Sequence, residues 1–131
     1  MTAESLNYAR QYLRKARDYL ASAQDNLDLE RLTPAAGDAI HAGISAKDAV
    51  VTALTGRTSK SKDHAKAAGE LRAALSGRPD APAAERALRE LIALKGDVEY
   101  GTKVPTAAQA TSLVRRARIL VELTEEIIDG R

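Results

Sequence analysis

The sequence predicts an all-α chain, an up-and-down bundle of four or five helices, and three observations carry that prediction. Leu6, Ala9, Leu13, Ala16, Leu20, Ala23 and Leu27 keep a 3, 4 alternation, the seam of an antiparallel bundle. The stretch from Thr33 to Thr55 reads as a helix apolar around most of its circumference. Near the C-terminus, Thr106 to Gln109 fits a capping box ahead of a long apolar face that runs through Ala110, Leu113, Val114, Ala117, Leu120, Val121, Thr124, Ile127 and Ile128. Alanine richness favours helix throughout, and no segment alternates with period two. At 131 residues the chain is long enough for one domain, spanning 1–131, with a real core.

Taken in order, the first helix is expected from Glu4 to Asp25, with Tyr8, Tyr12 and Tyr19 along one edge of its seam and Arg10, Arg14 and Arg17 along the other. The acidic segment from Asn26 to Leu32 reads as a turn. Thr33 and Pro34 mark the next helix start, as N-cap and first helical residue, and Gly56 marks its stop. Ala35, Ala39, Ala42, Ala46, Ala49 and Ala53 form one seam of this helix. Gly37 and Gly43 each cost about 0.5–1 kcal/mol in a helix interior, which close approach of a neighbouring helix would offset. A third helix, capped by Ser61 or Asp63, runs on through Ala67, Ala68, Leu71 and Leu75. The stretch Ser76 to Pro82 breaks it, a fourth helix follows from Pro82 to Leu94, and Gly96 to Pro105 is expected to be irregular.

Composition excludes several classes of function. Phe, Trp and Cys are absent, so the core is aliphatic and there is no thiolate chemistry. The formal charge of +2 does not by itself imply nucleic acid. With no signal-peptide pattern and no run of 18 or more apolar residues, a cytoplasmic protein with no membrane association is expected. There is no glycine-rich phosphate loop and no Gly-x-Ser-x-Gly elbow, so no cofactor is expected.

Two groups of side chains could carry chemistry. Asp38, His41, Ser45, Asp48 and Thr52, spaced 3, 4, 3, 4, form the one polar stripe of the second helix. A metal site there lacks the third or fourth ligand that stable binding needs. The bland reading of His41 is a groove histidine bonded to Asp38 or Ser45. The second group is the polar loop after Gly56, with Arg57, Lys60, Lys62 and His64. An arginine holding phosphate and a histidine moving a proton would suffice for metal-independent phosphodiester cleavage. Arg57 and His64, with six residues between them, could converge for it. The bland reading of His64 is an exposed helix-start residue.

The run from Gly37 to Val50, the loop ending Lys62-Asp63-His64, the alanine-rich helix through Leu71 and Leu75, Tyr100 in a loop and Val104-Pro105-Thr106 opening the last helix resemble the small HEPN proteins (higher eukaryotes and prokaryotes nucleotide-binding domain). That resemblance implies a helical bundle, commonly a homodimer, in RNA metabolism, toxin–antitoxin pairs or defence. The expectation is an RNA- or protein-binding module, with RNA or a cognate protein as partner. Its binding residues would be Asp38, His41, Ser45 and Asp48 from the stripe, Lys60 and Lys62 from the loop, and Tyr100. The alternatives are an endoribonuclease toxin in which Arg57 holds phosphate and His64 is acid or base, and a purely structural helical partner.

Overall fold

A computed structural model of the chain describes residues 2–57 and 64–130. Among them lie α1 (Ala3–Asp28), α2 (Leu32–Thr55), a 3-10 turn (His64–Lys66), α3 (Ala67–Ala74), α4 (Ala81–Ala93), the short α5 (Lys95–Tyr100) and α6 (Ala107–Asp129), with no strand.

Each helix end has a local cause. Thr2 caps α1 through a reciprocal bond with Ser5. The helix runs past the expected stop at Asp25 because Leu27 still packs on the core. It then closes in a Schellman arrangement, with Arg31 N–H donating to the Asn26 carbonyl at 2.8 Å and Glu30 N–H to the Leu27 carbonyl at 3.0 Å. Glu30 takes the left-handed conformation (φ 59°) that glycine usually supplies.

The start of α2 corrects the sequence reading. Arg31 is its N-cap, with no side-chain bond, and Thr33 and Pro34 sit inside the first turn. Proline is tolerated there because the first turn's N–H groups have no intrahelical acceptor. Gly56 ends the helix as expected, left-handed at φ 72°.

Three later boundaries also differ. The α-helical part of the third segment begins at Ala67, and the expected caps Ser61 and Asp63 lie outside the described residues. The helix expected from Pro82 begins one residue earlier, at Ala81, with Asp80 as its N-cap and Pro82 within its first turn. The stretch expected to be irregular instead contains α5, which Val98 fastens to the core and the Lys95–Glu99 pair at 2.5 Å spans one turn. The capping box of α6 is as expected: Thr106 Oγ1 accepts from Gln109 N–H at 3.1 Å, and Gln109 Oε1 accepts from Thr106 N–H at 2.9 Å. Thr106→Ala should therefore cost about 1 kcal/mol, read as a lower urea midpoint with an unchanged slope.

Side-chain pairings give the helix directions. Ser22 and Asn26 near the end of α1 meet Asp38 near the start of α2, so the two run antiparallel. Arg17 reaches Glu125 and Asp129 while Gln24 meets Arg118, so α6 is antiparallel to α1 as well. Arg116 pairs with Glu90, and Asp80 and Ala84 share a groove with Leu123 and Glu126, so α4 and α6 are antiparallel. The four longest helices thus alternate in direction, and Arg72–Glu85 at 3.2 Å ties α3 to α4. At the acidic end of α6, Glu125 and Asp129 meet Arg17 of α1. Glu125, by its hydrogen bond, and then Asp129 raise the Arg17 pKa above its ordinary value.

The core lies around α2. All six alanines of its seam are buried, so the seam is used within one chain. Gly43 lies where Leu88, Leu91 and Leu120 converge, the close approach that its sequence position suggested. Gly37 does not share it: a Cβ there would sit 3.8 Å from Val98, an ordinary contact.

Candidate functional site

The polar stripe of α2 is divided among three neighbours, and its N-terminal third forms the best-built polar groove. The Asp38 Oδ2 accepts from Ser22 Oγ at 2.7 Å and from Asn26 Nδ2 at 3.1 Å. One turn on, the His41 ring stacks on Tyr19, centroids 5.2 Å apart and planes 30° from parallel. His41 Nε2 faces Glu99 of α5, 3.3 Å from Oε1. This corrects the expectation that Asp38 or Ser45 would hold the imidazole: α1 satisfies Asp38, and α5 delivers the carboxylate.

The chain of contacts continues outward. Glu99 Oε2 is paired with Lys95 Nζ, which also lies 5.6 Å from the centroid of the Tyr100 ring. Tyr100, expected in a loop, is the last residue of α5 and is 82% exposed. Beside Tyr19, the residues Lys15, Asp18, Ser22 and Asp38 line a shallow cleft of about 360 Å³. Across α5 a second cleft of about 350 Å³ is floored by Leu94, Val98, Pro105 and Leu113.

The rest of the stripe serves other purposes. Ser45 is half-buried. Asp48 pairs at 2.8 Å with Lys47, a lysine only 4% exposed whose Nζ also lies 3.5 Å from Glu70 of α3. Thr52 is buried, and among the described residues its hydroxyl has no hydrogen-bond partner. It borders a small polar pocket with Thr2, Ser5 and Tyr8 of α1.

The loop residues stand apart. Arg57 is exposed just beyond α2, its N–H donating to Thr55 Oγ1 at 3.2 Å. His64 is half-buried and opens the 3-10 turn rather than the first turn of an α-helix. Lys60 and Lys62 lie outside the described residues.

Sequence reasoning found the tyrosine edge of α1 and the stripe of α2 but did not join them. Ser5, Tyr8, Tyr12, Lys15, Tyr19, Ser22 and Asn26 repeat at 3, 4 spacing on α1, the same alternation as the stripe of α2. Antiparallel pairing of α1 and α2 brings the two rows together at Ser22 and Asn26 with Asp38, at Tyr19 with His41, and at Tyr8 with Thr52. Glu99 left no such signal, because α5 is too short to show a period.

Chemically, the groove joins two aromatic faces to an excess of carboxylate. Three carboxylates, Asp18, Asp38 and Glu99, share it with two ammonium groups, Lys15 and Lys95. Glu99 Oε1 is buried, and a proton on His41 Nε2 would give it a donor while leaving Nδ1 as an acceptor. Among the described residues, no three His, Cys, Asp or Glu side chains are grouped to hold a metal ion, and no helix is long and apolar enough to cross a membrane. No protein-family model matches the chain, and no curated protein matches it.

Proposed function

We propose that this chain is a HEPN-like helical-bundle module of RNA metabolism, toxin–antitoxin or defence systems, and that it acts by binding a protein partner through the groove of α1, α2 and α5. The observation that carries this reading is the Tyr19–His41 stack set between Asp38 and Glu99. A cationic side chain laid against Tyr19 gains a cation–π interaction of about 0.5–2 kcal/mol. Asp38 Oδ1 takes neither of the bonds from Ser22 and Asn26, so it can accept a charge-assisted hydrogen bond worth about 1.5–3 kcal/mol. The same carboxylates repel phosphate, so the groove favours a basic protein segment over the RNA backbone.

An oligoarginine peptide, titrated at low salt, is the direct probe. Tyr19→Ala and Asp38→Asn should each weaken its binding about tenfold, roughly 1.4 kcal/mol. Unchanged affinity in both variants contradicts the reading. The endoribonuclease reading has one observation in its favour: Arg57, exposed, and His64 flank the same loop. RNA incubated in excess chelator should stay intact if the chain only binds. Cleavage lost in both Arg57→Ala and His64→Ala would instead establish a metal-independent nuclease.

A further inference from the structure

The cleft across α5 from the groove is built differently, and the reading of the groove makes no use of it. Its floor is apolar, formed by Leu94, Val98 and the buried Pro105 and Leu113. Its rim carries both signs of charge. Asp97 comes from α5, whereas Lys103, Thr106 and Gln109 come from the segment leading into α6 and from the start of that helix. Gly101 N–H donates to the Asp97 carbonyl at 3.2 Å, closing the turn that follows α5 and leads to Lys103. The ion pair within α5 joins Lys95 to Glu99, and among the described residues Asp97 and Lys103 have no ionic partner. The capping box uses the Gln109 Oε1 and backbone N–H, so among the described residues the Gln109 Nε2 protons have no acceptor. The Thr106 hydroxyl accepts in that box and keeps its own proton to donate.

We infer that this cleft binds a free aliphatic α-amino acid. The volume of about 350 Å³ lies at the lower end of the range for ligand pockets, about 300–1,000 Å³, which suits a small molecule. A branched aliphatic side chain covers the apolar floor. The ligand's ammonium pairs with Asp97, and its carboxylate accepts from Lys103, with the Gln109 amide and the Thr106 hydroxyl as further donors on the same side. An α-amino acid carries its ammonium, carboxylate and apolar chain on one carbon, as a cleft with both charges around one apolar floor requires. A peptide separates the two charges, so either of its ends would leave Asp97 or Lys103 without a counterpart. Asp97 and Lys103 are exposed, so water and salt weaken both pairs, and binding is on the order of 1 mM and sensitive to salt.

Three probes separate the charges: leucine, leucinamide, which lacks the carboxylate, and 4-methylpentanoate, which lacks the ammonium. Titrated at low salt into the isotopically labelled chain, leucine should shift the amides of Val98, Lys103, Gln109 and Leu113 saturably. Each analogue should bind about fivefold more weakly than leucine. Asp97→Asn and Lys103→Met, both at exposed positions, should each weaken leucine by a similar factor of about five. Their effects on the analogues should cross over: Asp97→Asn leaves 4-methylpentanoate binding undiminished, and Lys103→Met leaves leucinamide binding undiminished. No saturable response to leucine up to its solubility limit, analogues that bind as tightly as leucine, or variants that weaken both analogues alike would each overturn the inference.

Discussion

Lys47→Ala is expected to destabilise the chain by about 3 kcal/mol. The Lys47 side chain is 5% exposed, and its ammonium lies 2.8 Å from Asp48 and 3.5 Å from Glu70. Truncation removes three buried methylenes, at about 0.8 kcal/mol each. It also strands two carboxylates of α2 and α3 without their shared cation. Those carboxylates are 23% and 30% exposed, so water softens the electrostatic loss, and packing makes up most of the effect. Lys47→Met keeps the stem and discards the charge, and should recover more than half of the loss. Urea unfolding of the three proteins decides this. If Lys47→Ala lies within 0.5 kcal/mol of the wild type, the buried ion cluster is not a structural element.

Gly43→Val is the second large effect, expected at about 3 kcal/mol. A Cβ at residue 43 would fall 2.5 Å from Leu91 Cδ1 and 3.5 Å from Leu120 Cδ1. Leu91 is fully buried, so its methyl has little space into which to turn. Overpacking of this kind costs about 1–3 kcal/mol or more, and the β-branched methyls add to the crowding. Gly43→Ala is a smaller test, since helix propensity returns about 0.8–1.0 kcal/mol against the clash. Leu91→Val should relieve part of the Gly43→Val defect, and a double-mutant cycle measures that coupling. Independent, additive losses would show that the glycine is not there to admit Leu91.

These two residues also show what the sequence could disclose. Gly43 was legible because a glycine inside a helix, beside an alanine seam, needs a reason, and close packing is a frequent one. The Thr106–Gln109 box, the α1 seam and the Gly56 stop were legible for the same cause, since each depends on residues a few positions apart. Lys47 was not, because its burial depends on Glu70 arriving from α3, and nothing in α2 announces that. Similarly, the stripe was visible as a line of polar residues. Its division among α1, α3 and α5 followed from tertiary pairings of Asp38 with Ser22, of Lys47, the partner of Asp48, with Glu70, and of His41 with Glu99. Glu30 ends α1 in a conformation that points, by propensity, to glycine, so that stop could not be read from composition.

Amide chemical-shift mapping of the isotopically labelled chain tests the binding groove most directly, with an oligoarginine peptide in one arm and an RNA oligonucleotide of equal length in the other. The proposal predicts that the peptide perturbs a contiguous set of amides around Tyr19, Asp38, His41 and Glu99, saturably, while RNA leaves them in place. Perturbation by RNA centred on Arg57 and His64, with the groove silent to the peptide, would contradict it.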